Sequence, residues 1–212
     1  MVLILAGGAV AVDAIARDRV EARVAEEVAA SFGLDSRPDV EISGTAFLPQ
    51  VLGGSVERVV LSADAATLGT LPMEDVVVTL SGVSPREPFV ADVVDFEGVV
   101  PLSAVQELNS TEIDIRIQDG AVVVGGAVLG VPLEAHVTPV ADGRAVVARL
   151  DTVTLAGLSV AVADLPASVA QAIGGVRVPI DALPEGLTLT HVTVGLTGFH
   201  VEASGTKVAL AP

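Results

Sequence analysis

The sequence predicts an α+β fold in which a long, twisted antiparallel β-sheet wraps around an N-terminal helix and one or two short helices. Three observations lead there. An early stretch repeats its apolar residues every fourth position, and from Pro38 onward the repeat is mostly every second. Asp119-Gly120 and Asp142-Gly143 lie between alternating runs, where such pairs mark tight hairpins. The helices are too few to cover both faces of a large sheet, so one face packs on them and the other meets solvent.

Met1 to Val12 is uniformly apolar or small and carries no charge. About 20 apolar residues are needed to cross a bilayer, so this run is too short alone. It fits the apolar region of an export signal, with Ala9-Val10-Ala11 matching a small-x-small cleavage pattern, although a basic leading segment is missing. Residues 1–12 are therefore expected to be a truncated signal peptide or membrane anchor; the alternative is a buried first turn of the following helix. Asp13 to Phe32 reads as that helix, with Ala16, Val20, Val24, Val28 and Phe32 as a slowly drifting stripe and Gly33 as terminator. Arg17/Glu21 and Arg23/Glu27 are spaced for ion pairs on its exposed side. Arg17, Arg19, Arg23 and Arg37 cluster after the leader; a solvated helix face explains them, and a membrane-proximal role is the sharper alternative.

The alternating segments Val40–Ser43 and Ser55–Leu61 flank a connection, Gly44–Gly54, in which Pro49, Gly53 and Gly54 rule out a continuous strand. That connection carries Phe47, Leu48, Val51 and Leu52, which must be buried in the core, in a membrane or around a ligand. Glu74–Leu80, Phe96–Val100, Thr111–Ile117, Ala121–Val128 and Val131–Val140 are further strand candidates. The Asp142-Gly143 turn joins Val131–Val140 to Arg144–Leu155. Pro101–Asn109 reads as a short helix opened by proline, and Leu165–Ile173 as another, closed by Gly174-Gly175. Leu187–Leu196 and Gly198–Leu210 form a final hairpin. No polar linker divides the chain, so residues 13–212 are expected to form one domain.

Composition narrows the function. Apolar residues make up 51% of the 212 and aromatic ones only 2%, so smooth aliphatic surfaces dominate. A formal charge of −16, with no Trp or Tyr, excludes a nucleic-acid binder, which needs a basic track and stacking aromatics. The absence of cysteine excludes disulfides, thiolate metal sites and cysteine nucleophiles. Ten arginines against one lysine, Lys207, with abundant Ala, Val, Gly and Asp, suggest a GC-rich bacterial source.

No nucleophile elbow, phosphate loop, dinucleotide fingerprint or zinc-protease motif occurs in the sequence. His136, His191 and His200 all fall in predicted strands; His191 and His200 are placed to meet across the final hairpin, a weak metal signal outweighed by a surface role. Glu26/Glu27, Asp92/Asp95 and Glu112/Asp114 read as solvated faces, the last pair also as a weak cation site. Asn109-Ser110-Thr111 matches a glycosylation sequon, which means little in a bacterial protein. No catalytic residue, metal ligand or cofactor is assigned. A half-apolar chain with an export-like start suits a binder of acyl chains better than a catalyst, since each buried CH₂ contributes about 0.8 kcal/mol.

Three segments resemble the LmeA-like family of actinobacterial envelope proteins. They are the apolar leader with its helix ending near Phe32, the run from Val40 through Phe47-Leu48-Pro49-Gln50-Val51-Leu52-Gly53-Gly54, and Leu183-Pro184-Glu185-Gly186-Leu187-Thr188-Leu189 before a terminal hairpin. The second is similar to the family's Pro-Phe-Leu-x-Gln-Val-Leu-x-Gly signature, with Ala46 where the family usually has proline and the proline shifted to Pro49. The resemblance implies a fold similar to the tubular (TULIP, BPI-like) lipid-binding domains, phospholipid binding and a role in maintaining the envelope and its lipoglycans.

The expected function is therefore noncatalytic binding, with transfer as an extension, of phospholipid or lipoglycan-precursor acyl chains. The expected location is the periplasmic side of the inner membrane, with membrane contact through the N-terminus. The expected lining is Val20, Val24, Val28 and Phe32 on the helix and Phe47, Leu48, Val51 and Leu52 on the connection. Phe89 and Phe96 are added as a loop that gates the groove. All of them serve equally well as core. The rival reading is a scaffolding envelope protein that fills its own groove and acts through protein partners; an enzyme acting on envelope glycolipids would need carboxylates converging on a cleft.

Overall fold

A computed structural model describes residues 2–32, 37–44, 46–108, 114–118, 120–128, 131–155, 157–160, 162–164, 177–180 and 183–210; for 2–11, 27, 30–32, 108, 127–128, 131, 155 and 163 it describes the backbone alone. The elements are α1 (Val2–Phe32), β1 (Asp39–Ser43), α2 (Phe47–Gly53), β2 (Val56–Leu68), β3 (Leu71–Val83), β4 (Val90–Pro101) and α3 (Leu102–Leu108). Then come β5 (Asp114–Gln118), β6 (Ala121–Val128), β7 (Val131–Asp142), β8 (Ala145–Leu155), β9 (Leu158–Val160), β10 (Arg177–Pro179), β11 (Thr188–Val194) and β12 (Gly198–Ala209). The fold is α+β, with large antiparallel sheets and few helices.

The strands divide into two sheets rather than one: β1-β2-β3-β4-β12-β11, and β10-β8-β7-β6-β5 with β9 on β8. The division falls at Pro101, where β4 runs directly into α3 and the chain leaves the first sheet. The Leu102 N–H donates to the Thr197 carbonyl at 3.0 Å, and Gln106 Nε2 donates to the Ile115 carbonyl at 2.6 Å, so α3 bridges the two sheets. Val194 and Phe199 of the first sheet pack against the core of the second, around Val122, Leu133 and Val153.

The first sheet is creased. Gly82 (φ 63°) on β3, Asp92 on β4 and Lys207 (φ 55°) on β12 occupy one transverse row. The registers step over that row, from Ser81↔Val93 to Val83↔Ala91 and from Thr206↔Val93 to Val208↔Ala91. Each strand spends one extra residue there: Leu80 then Val83, Val94 then Ala91, Ala203 then Val208 all face the core. The pairing register is the same on both sides of the row, so the three strands change the phase of their alternation together and keep their apolar sets on one face. A Cβ on Gly82 would lie 2.4 Å from an Asp92 carboxylate oxygen, so only glycine fits at position 82. Lys207 closes it with an ion pair to Asp92.

One further point differs from the sequence reading. The run 44–54 is not an irregular connection: Phe47–Gly53 is a helix. Pro49 is its third residue, within the first turn, where a backbone N–H has no acceptor inside the helix, and Gly54 (φ 86°) is its left-handed cap. The apolar stretch before Asp13 is helical from Val2 and continuous with the helix that follows, so α1 spans Val2 to Phe32. Among the described residues no helix is long and apolar enough to cross a membrane. The expected helix 165–173, the sequon 109–111, Gly33 and Glu112 lie outside the described residues.

Candidate functional site

One face of the first sheet carries a continuous aliphatic layer. At one end Val40, Ile42, Val56 and Val59 pack with Ala25 of α1 and Phe47 of α2, joined by the partly buried Val24, Leu48, Val51 and Leu61. At the other end Met73, Val94, Phe96 and Val201 pack with Leu183, Leu187 and Leu189. Leu80 and Val83 of β3 touch both clusters and make them one layer. Among the described residues no polar or charged side chain is buried.

The two ends are held down differently. α2 has Ala46 as its N-cap, which offers no side-chain acceptor. The cap comes instead from α1: the Asp13 carboxylate accepts the Phe47 N–H at 2.9 Å and the Leu48 N–H at 2.7 Å. Those two bonds, Leu48 first, hold the Asp13 carboxyl below its ordinary value of 3.8, with the Arg17 guanidinium adding to the effect. Arg17 lies 3.6 Å from Asp13 and donates to the Gly44 carbonyl at 3.3 Å; one turn on, Glu21 accepts the Ile42 N–H at 2.7 Å. Asp13, Arg17 and Glu21 thus form a polar row tying α1 to β1, to Gly44 and to the first turn of α2. This corrects the expected Arg17/Glu21 pair on a solvated face: positions i, i+4 and i+8 lie on the same helix face as Val24 and Val28, and that face is packed. Gln50 supplies the other fastening, its Oε1 accepting the Glu57 N–H at 2.8 Å. A Cβ on Gly44 would come within 2.1 Å of Gln50 Nε2, so the chain enters α2 through a position only glycine fits.

At the far end, Ile180 and the segment Leu183–Leu189 strap the layer through Arg144 at the β7–β8 turn. Arg144 donates to the carbonyls of Leu183, Pro184 (2.9 Å) and Leu187 (3.3 Å). The Ile180 N–H reaches the Arg144 carbonyl at 2.8 Å and the Leu189 N–H the Gly143 carbonyl at 2.8 Å. Beneath this strap lies an apolar void of about 10 Å³, lined by Leu71, Met73, Phe96, Leu183 and Leu189 among others. That is about the volume of one water-sized probe, and an acyl chain does not fit it. A shallow polar depression of about 290 Å³ lies by β1–β3, rimmed by Arg37, Asp39, Asp64 and Asp75.

The expected lining residues fall into three groups. Val24, Phe47, Leu48 and Val51 come together in the α1–α2 end of the layer, while Val28 is half-buried on the same helix. Phe96 is buried in the other end, under the strap. Val20 (37% exposed) and Leu52 (78% exposed) face solvent. Phe89 is half-buried in the β3–β4 connection, which is pinned where the Leu210 N–H donates to the Phe89 carbonyl at 2.8 Å. The side chain of Phe32 lies outside the described residues. Histidines 191 and 200 do not meet: His191 stands opposite Glu202, 3.3 Å away, and His200 opposite Thr193. Among the described residues no cluster of three or more His, Asp or Glu is arranged to hold a metal ion.

Comparison with known families adds to this geometry. The chain matches the model of the LmeA-like phospholipid-binding family over residues 11–204. It belongs to that family. The match runs from within α1 into β12 and takes in most of both sheets and the strap, so most of the aliphatic layer lies inside it. No significant match was found among curated proteins or solved structures.

Proposed function

We propose that the protein binds phospholipid without catalysis, taking acyl chains onto the aliphatic layer of the first sheet and leaving the head group near solvent. The observation that carries this reading is the layer itself, which runs from α2 to the strap with no buried polar side chain among the described residues. Such a surface gains about 0.8 kcal/mol for each CH₂ it takes from water and offers no group to attack an ester. Residues 13–212 act as the lipid-binding domain, and Val24, Phe47, Leu48, Val51 and Phe96 are the side chains that would meet the chains.

The protein works in the cell envelope, on the periplasmic side of the inner membrane, with its N-terminal segment touching the bilayer. The uncharged leader and the exposed Val12 and Ile15 on α1 support that contact. Transfer of lipid between membranes is the extension of this activity. A scaffolding role without lipid has one observation in its favour, the small size of the void beneath the strap, about 10 Å³.

Native mass spectrometry of the purified protein, with lipid extraction, separates the two. A 1:1 phospholipid adduct is expected. A clean unliganded mass that also refuses added phospholipid would establish the scaffolding role.

A further inference from the structure

If acyl chains reach the aliphatic layer, something must open, because the void beneath the strap admits about one water-sized probe. We infer that α2 is the door of the acyl-chain site and that Asp13 is its latch, so that an alkyl chain enters between α2 and strands β2–β3. This rests on the lipid-binding reading above and adds where the chain passes and which residue controls its passage.

Four observations converge on α2. It has only seven residues, too few to hold helical structure without docking. Its docked face is apolar: Phe47, Leu48 and Val51 share one cluster with Val56, Val59, Leu61, Leu80 and Val83, so lifting it uncovers this end of the layer. Glycines flank it, Gly44 (φ 129°) three residues before its start and Gly53 with Gly54 (φ 86°) at its end, positions that absorb backbone rotation at low cost. Its fastening is side-chain chemistry and incomplete. Asp13 supplies the whole N-terminal cap, whereas two enclosed atoms beside it, Nε of Arg17 and Nε2 of Gln50 on side chains that are only half-buried, have no hydrogen-bond partner among the described residues. A partly satisfied polar junction costs more to keep closed than a complete one. The strap differs in its fastening, since Arg144 and two backbone bonds hold it.

The test uses the full chain and vesicles of phosphatidylcholine carrying a pyrene-labelled phosphatidylcholine, with uptake followed by stopped flow. Asp13→Ala removes the latch. Loss of an N-cap is expected to raise the uptake rate roughly fivefold while the amount bound at equilibrium changes little. Asp13→Asn keeps one acceptor oxygen; its rate should fall between the two, and it covers the case in which the alanine variant does not fold. Amide exchange supplies a readout independent of lipid. In Asp13→Ala the amides of α2 should exchange faster while those of β2 and β3 keep their protection. An unchanged uptake rate despite unprotected α2 amides, or joint loss of protection across α2, β2 and β3, would overturn the door. If the wild-type chain takes up no phospholipid at all, the binding reading fails, and the exchange pattern alone still decides whether α2 opens independently.

Discussion

The two ends of the aliphatic layer are covered by short segments of similar apolar content, yet they are fastened by different means. At the strap end, backbone groups of Ile180 and Leu189 bond to the β7–β8 turn, and Arg144 holds three carbonyls. At the α2 end, a lone carboxylate from 34 residues upstream holds two N–H groups, with Gln50 as the other fastening. A backbone tie is lost only when the chain rearranges, whereas a side-chain tie yields to a rotamer change or a proton. The difference teaches where such a molecule can open without unfolding: at the end fixed by side chains.

The largest expected effect separates the ends directly. Phe96 and Phe47 are buried to similar degrees, 8% and 5% exposed. Phe96→Ala should cost about 3–5 kcal/mol in urea unfolding, as truncation of a core aromatic does. Phe47→Ala should cost at most about 2 kcal/mol, because the loss is capped by the free energy that docks a locally opening unit. Equal losses at the two sites would erase the contrast between the ends. Next in size, Arg144→Ala should cost about 1.5–3 kcal/mol, the range for hydrogen bonds to a charged donor. It should lower the melting temperature by several degrees and expose the amides of residues 183–189, leaving α2 protected. Removing Arg144 without unprotecting the strap would show that the backbone bonds alone suffice.

Much of this arrangement is legible in the sequence, and the exceptions have identifiable causes. The hairpins at Asp119-Gly120 and Asp142-Gly143, the short helix after Pro101 and the final pair of strands are set by local turn and alternation signals, and they form as predicted. The β2–β3 hairpin is missed over its outer half. Its turn is Gly69-Thr70, with Gly69 at φ 67°, a Gly-x pair that suits a tight hairpin but is less conspicuous than Asn-Gly or Asp-Gly. α2 is hidden because Pro49 and Gly54 break structure in the middle of an element yet suit its ends, and because its cap sits in another helix. At the site, Phe47, Leu48 and Val51 are found by their bulk. Asp13, Arg17 and Glu21 are missed, although their i, i+4, i+8 spacing shares a face with Val24 and Val28. Arg144 carries no local signal, since its acceptors lie 39 to 43 residues away.

A smaller, local effect should appear on acidification. The folded-state pKa of Asp13 is depressed, so the stabilisation it gives α2 is complete above the unfolded value near 3.8 and is lost as pH falls through the lower folded value. Amide exchange or NMR shifts at Phe47 and Leu48 should report α2 loosening below about pH 4 while Ile180 and Leu183–Leu189 stay fixed. The Asp13→Asn variant should show no such step at α2. Simultaneous loosening of both ends would mean that general acid unfolding, not this carboxylate, controls the region.

The smallest effect concerns the crease that shapes the layer for both ends. Lys207 holds a left-handed backbone that costs a non-glycine residue roughly 1–2 kcal/mol, and its ion pair with Asp92 is between side chains that are 76% and 55% exposed. Exposed pairs of this kind contribute about 0–1 kcal/mol, so the backbone term outweighs the charge term. Lys207→Gly should therefore leave stability unchanged or raise it by up to about 1 kcal/mol, and Asp92→Ala should shift it by less than about 1 kcal/mol. Lys207→Val should destabilise, since a β-branched residue resists positive φ. A loss of stability in Lys207→Gly comparable to that in Lys207→Val would show that the ion pair, and not the backbone turn, maintains the crease, and would make sheet curvature sensitive to salt.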